Sequence, residues 1–128
     1  MEFLVGKAHH IMFLALGGGG DVASASMLAL AARRLGFKSH VASVVWERLP
    51  VDPTPGPVRL SEVVGSLGVG GHSMLATGES KALRGGKSID FQAANASRSL
   101  GEPVGLVDLA SGAVGVRRGV EELSALYG

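Results

Sequence analysis

The stretch Ile11-Met12-Phe13-Leu14-Ala15-Leu16-Gly17-Gly18-Gly19-Gly20-Asp21-Val22 decides the fold. The apolar run Ile11 to Leu16 predicts a buried strand, and Val22 to Leu35 predicts a helix. The glycines between them allow a tight turn and leave backbone N–H groups bare at a helix N-terminus, where an anion is favoured. Gly18, Gly19 and Gly20 are therefore candidate ligands for a phosphate. Asp21 has two readings, a plain cap of the first helical turn and a carboxylate facing a ligand or a bound Mg²⁺.

Outward from this junction the pattern continues as α/β. Val22, Ala25, Leu28, Ala31, Ala32 and Leu35 make the first helix apolar on nearly every side, as for a helix packed on a sheet and covered again from outside. Arg33 and Arg34 suit its C-terminal dipole, and Gly36 suits the position just past its end. His40 to Trp46 is β-branched and apolar without alternation, which predicts a strand buried on both faces of a parallel sheet. Strand, helix and strand make one right-handed βαβ unit. Leu49 to Pro57 holds four of the five prolines and predicts a stiff loop at the edge of a site.

Further on, Ser61 to Leu67 predicts a short helix capped by Ser61. His72 to Thr77 predicts a strand, and Gly85-Gly86 a hairpin turn. Phe91 to Leu100 predicts a helix closed by Gly101, and Val104 to Leu109 a strand. Val116, Val120, Leu123 and Tyr127 mark one face of a helix from about Gly115 to Tyr127, with Arg117–Glu121 and Arg118–Glu122 pairing on its outer side. The whole reads as a single domain over residues 1–128, an α/β, Rossmann-like three-layer sandwich with a mostly parallel sheet.

Composition narrows the function classes. Hydrophobic residues are 46% of the 128 and charged residues 18%, below the roughly 25% usual for soluble domains. A hidden apolar face is implied, covered by a partner subunit, as in a homo-oligomer, or by missing sequence. Net charge is +1, and no basic stripe interleaves with aromatics, so a nucleic-acid surface is not expected. The absence of cysteine excludes thiolate chemistry and fits a reducing cytoplasm. No apolar segment approaches the ~20 residues that span a bilayer, and no membrane partner or signal peptide is expected.

Ligands of parallel α/β sheets bind beyond the carboxyl ends of the strands. Three predicted strand ends carry polar groups: Gly17–Asp21, then Glu47, Arg48 and Asp52, then Asp108 with Ser111. A buried strand rarely ends in a carboxylate without a site or cap to serve. The expected Gly115 start puts the last helix out of capping reach of Asp108, and leaves that role to Ser111. The glycine loop lacks the Lys-Ser/Thr of a P-loop, and its G-x-G-x-x-V spacing lacks the third glycine of a dinucleotide fingerprint. It is similar to the Ser-Gly-Gly-x-Asp-Ser signature of ATP pyrophosphatases, with both serines replaced. His9, His10, His40 and His72 show no metal spacing, and no serine sits in a G-x-S-x-G elbow.

Gly17–Val22 after a strand, Trp46-Glu47-Arg48, Asp52-Pro53 through Pro55-Gly56-Pro57, Gly101-Glu102-Pro103-Val104-Gly105-Leu106-Val107-Asp108 and the closing Gly-Val-Glu-Glu-Leu helix together resemble an uncharacterised, mainly archaeal family, domain of unknown function 1152. The resemblance implies an α/β, Rossmann-like fold and no known activity. It also implies members about twice this long, with a further Gly-Gly-Asp-type loop in their second half, so that this chain corresponds to an N-terminal half. The functional expectation is a protein that binds a small phosphorylated ligand, a nucleotide with Mg²⁺, through Gly18, Gly19, Gly20, Asp21 and Asp108, with Glu47, Arg48 and Asp52 at the rim. The alternative is a non-catalytic assembly domain in which the loop is only a tight turn.

Overall fold

The computed structural model describes residues 10–16, 20–44, 58–84 and 86–128. Strand β1 (His10–Ala15), helix α1 (Gly20–Arg34) and strand β2 (Lys38–Ser43) form the expected opening unit, and β1 pairs with β2 in parallel from His10↔Lys38 to Ala15↔Ser43. Four short strands follow: β3 (Val63–Val64), β4 (Leu67–Gly68), β5 (Ser73–Ala76) and β6 (Lys81–Arg84). Then come β7 (Lys87–Ile89), α2 (Gln92–Leu100), β8 (Val104–Val107) and α3 (Gly112–Tyr127). The main sheet has the order β1-β2-β8-β5-β4, and β3-β6-β7 form a second sheet. The main sheet is mixed, because β1, β2 and β8 run parallel while β5 and β4 pair antiparallel to β8 and to each other.

Side-chain alternation along the strands separates two cores. Val41, Val104 and Leu106 point to one face, where Val22, Ala25 and Ala29 of α1 and Ala93 and Ala94 of α2 cover them. Ala82 and Ile89 of the second sheet close the same core. Ala42, Val107 and Met12 point to the other face, under Val120, Leu123 and Tyr127 of α3. The inward side of α1 is small (Val22, Ala25, Ala29, Ala32), which lets the helix lie close on β1 and β2.

The ends of α1 follow from local chemistry. Gly36 adopts φ 92°, and the Phe37 N–H donates to the Ala32 carbonyl across the turn at 3.1 Å. The chain therefore turns straight into β2, two residues earlier than the expected His40. Arg33 does more than balance the dipole. It donates to the Ser39 hydroxyl and carbonyl, both at 2.9 Å, and pairs with Glu102, so one guanidinium fastens α1, β2 and the turn after α2.

Two expectations are corrected. Ser61 to Leu67 is not a helix: a 3₁₀ turn (Leu60–Glu62) passes into β3 at Val63-Val64. β-branched residues favour strand, and Gly65, at φ 74°, ends it where an added Cβ would lie 2.8 Å from the Glu79 carbonyl oxygen. The last helix begins at Gly112, three residues before the expected Gly115. Val120, Leu123 and Tyr127 pack inward as read, but the line of closest approach is glycine. A Cβ on Gly115 would sit 2.5 Å from the Asp108 carbonyl oxygen, and one on Gly119 2.6 Å from that of His72. The hairpin turn at Gly86 (φ 76°), α2 with its left-handed Gly101, and the strands at Ser73 and Val104 stand close to where the sequence puts them.

Candidate functional site at the carboxyl ends of the parallel strands

Pairing of Ala15 with Ser43, and of Ser43 with Leu106, brings the carboxyl ends of β1, β2 and β8 side by side. The Val44 N–H donates to the Ala15 carbonyl at 3.3 Å, so this alignment continues past the ends of the strands. Two strand spacings of ~4.8 Å put the exit of β8 roughly 10 Å across the sheet from the exit of β1. Gly20 opens α1 at the first exit, and Asp21 is exposed within its first turn. Asp21 is thus a first-turn acid that complements the helix dipole, and not the residue preceding the helix. Gly18, Gly19, Glu47, Arg48 and Asp52 lie outside the described residues, as do His9 and the Leu49–Pro57 stretch.

At the exit of β8 the geometry is complete. Asp108 is 9% exposed. Its N–H donates to the His72 carbonyl at 2.9 Å. Its carboxylate accepts the Ser111 hydroxyl at 2.5 Å and the Ser111 N–H at 3.3 Å. Ser111 precedes α3, but its own side chain caps nothing. Asp108 instead secures the turn into α3, which corrects the assignment of that role to Ser111. The reason is the earlier start of the helix. The missing Cβ of Gly115 leaves the space that this turn occupies.

Asp108 and Ser111 line a cleft of about 390 Å³ with Ala110, Gly71, Arg59 and Ser61. Arg59 and Ser61 come from the segment that emerges from the proline-rich stretch. The Arg59 N–H is held at 2.9 Å by Glu62, and Glu62 also lies 3.4 Å from the buried Arg84 guanidinium. Beside the cleft, Glu122 of α3 holds the two residues that follow Gly71. One Glu122 oxygen accepts the His72 N–H at 3.0 Å and the Ser73 hydroxyl at 2.6 Å. Its other oxygen lies 3.7 Å from His72 Nδ1. The Ser73 hydroxyl, followed by the His72 N–H and ring, holds the Glu122 carboxyl below its usual range. Gly70 makes room for it, since a Cβ there would lie 2.5 Å from the Glu122 carboxyl carbon. The expected Arg118–Glu122 pair is replaced by this contact, whereas Arg117–Glu121 is present at 4.0 Å.

Residues 12–128 match a family described as protein of unknown function (DUF1152). The chain belongs to that family. No curated protein and no solved structure matches it. Function in this DUF1152 protein is therefore argued from geometry. Of the residues read from the sequence, Asp108 and Ser111 meet in the cleft, and Gly20 and Asp21 stand at the neighbouring exit of β1. Arg59, Ser61 and Gly71 of the cleft, and Glu122 beside it, were not read from the sequence as site residues. For Arg59 the signal is its place directly after the proline run. For Glu122 the helical spacing to Arg118 pointed elsewhere. Among the described residues no cluster of three metal-ligating side chains occurs, and no helix is long and apolar enough to cross a membrane.

Proposed function

We propose that this chain binds a small phosphorylated molecule, a nucleotide with Mg²⁺, along the carboxyl edge of β1, β2 and β8. The observation that carries the reading is the polar cleft at the end of β8, where a nearly buried carboxylate (Asp108) and a rim guanidinium (Arg59) share one wall system. Each Asp108 oxygen takes one hydrogen bond from Ser111, and a carboxylate oxygen has lone pairs for two. Asp108 thus keeps acceptor capacity for a cation or a ribose hydroxyl. Arg59 supplies a donor fork suited to phosphate. Gly18, Gly19 and Gly20 supply backbone N–H groups at the start of α1, and Asp21 adds a second carboxylate. Glu47, Arg48 and Asp52 are the rim residues that the sequence reading adds. In this reading the fold is Rossmann-like with three layers: α1 and α2, the main sheet, and α3. The protein works in the cytoplasm.

Two variants test the reading. Gly19→Val places a side chain where phosphate must approach backbone, and Arg59→Ala removes an exposed donor fork. Both should fold, by circular dichroism, and both should lose the stabilisation that ligand gives the wild type in thermal melts. Undiminished stabilisation in both would sink the proposal.

A second reading, an assembly domain, is favoured by the outer side of α1. Met27 and Leu35 are each 71% exposed, Leu28 55% and Leu30 46%. One helix seldom leaves so much apolar surface to water. A homo-oligomer, or the C-terminal half of a longer chain, would cover it. A monodisperse monomer by light scattering counts against the homo-oligomer.

A further inference from the structure

Away from the cleft, at the amino end of β1 and β2, three rings stack. The β1–β2 register sets Met12 opposite His40 and Lys38 opposite His10, so His10 and His40 are diagonal neighbours on the face that α3 covers. Their rings lie 5.3 Å apart and within 7° of parallel. His40 also stacks on Tyr127, in the last turn of α3, at 3.7 Å and 6°. His10 Nδ1 and His40 Nε2 are 3.1 Å apart and share a hydrogen bond.

That bond needs a proton on one nitrogen and a lone pair on the other. With both rings protonated it cannot exist, and two positive charges face each other in a partly covered site. Among the described residues, the charged groups around the pair are Lys38 beside His10 on the same face, Arg33 of α1, Glu102 from the turn after α2, and the carboxyl group of Gly128, where an added Cβ would lie 4.0 Å from His10 Nε2. Arg33 is paired with Glu102, so neither offers His40 a free counter-charge. We propose that His10, His40 and Tyr127 form an acid-sensitive latch that fastens the last turn of α3 to the sheet and releases it when both imidazoles are charged.

Burial, and then the nearby His10 ring, lower the proton affinity of His40 from its ordinary value. The native state therefore binds fewer protons here than the unfolded chain. The latch's contribution is present above the ordinary histidine range and is lost as pH falls through it. The consequence for α3 is local. Glu122, which holds His72 and Ser73 directly after the cleft residue Gly71, lies just over one turn before Tyr127. Release of the last turn loosens that hold without touching Asp108 or Ser111. The latch stands whether or not the cleft binds a phosphorylated ligand.

The test is amide hydrogen exchange on the intact chain, with chelator present, at about pH 7.5 and about pH 5.5, compared as protection factors. In the wild type, protection of Leu123 to Gly128 should fall several-fold on acidification. Protection of α1 should change little. His40→Phe keeps a flat ring in the stack and removes the proton site, so its protection should not depend on pH in this range. Because His40→Phe could fold poorly, the wild type also gives a variant-free readout by NMR. The ring signals of His10, His40 and Tyr127 should shift together in one acid titration. Equal protection at both pH values, or Tyr127 signals that stay fixed while the imidazoles titrate, would overturn the latch.

Discussion

Gly115 and Gly119 carry the closest contacts of α3, and they set a conflict that magnitudes resolve. Replacing a mid-helix glycine by alanine gains up to about 1 kcal/mol of helix propensity. Here the new methyl group meets backbone oxygen at 2.5 and 2.6 Å, and overpacking costs about 1–3 kcal/mol. Gly115→Ala and Gly119→Ala should therefore each destabilise the protein in urea melts, and a gain in stability would show that α3 can move away from β8. This seam was hidden from sequence reading because periodicity counts apolar side chains, and glycine has none to count. The place of Asp108 at a strand exit was legible, since a carboxylate at the end of a fully apolar strand is conspicuous. Its partner was legible too, but the roles were reversed, because the helix starts at Gly112 and brings Ser111 within reach of the carboxylate.

At the scale of elements, the opening βαβ unit was readable because an apolar run, glycines and an uninterrupted helix follow one another. The region from Val58 to Ile89 was readable only at the strand after His72 and the turn at Gly86. Its strands are two to four residues long, too short for alternation to register, and they are defined by pairing partners distant in sequence. Glu122 is the clearest case of an element joined by one side chain. Its carboxyl titrates below the ordinary value of about 4.3, so the native state binds fewer protons than the unfolded chain. The stabilisation is present above that value and lost as pH falls through it. Glu122→Gln should flatten the stability profile below about pH 4.5, read as the midpoint of urea unfolding at successive pH values. A profile as steep as that of the wild type would show that other carboxylates govern acid unfolding. On α1, Met27→Glu should leave monomer stability within about 0.5 kcal/mol, because the side chain is exposed. In the assembly reading it should also shift light-scattering mass towards the monomer.

At the scale of the whole molecule, the two cores divide the labour. The core under α1 and α2 binds the second sheet, while the core under α3 positions the turn at Asp108, and Glu122 holds the residues that follow Gly71. The parallel order β1-β2-β8 then presents three strand exits along one edge. The mixed half of the sheet was not legible, since the antiparallel pairing of β5 on β8 places residues 73 to 76 beside residues 104 to 107 and leaves no local mark on either segment. What the site binds is the central claim. Its most direct test is a thermal-shift series on the wild type with ATP, AMP, NAD, pyrophosphate and coenzyme A, each with and without Mg²⁺. A ligand at 100 times its dissociation constant adds ~2.7 kcal/mol, several degrees for a domain of this size. The account predicts a Mg²⁺-dependent rise with at least one phosphorylated ligand, and an unchanged melting temperature with all of them would contradict it.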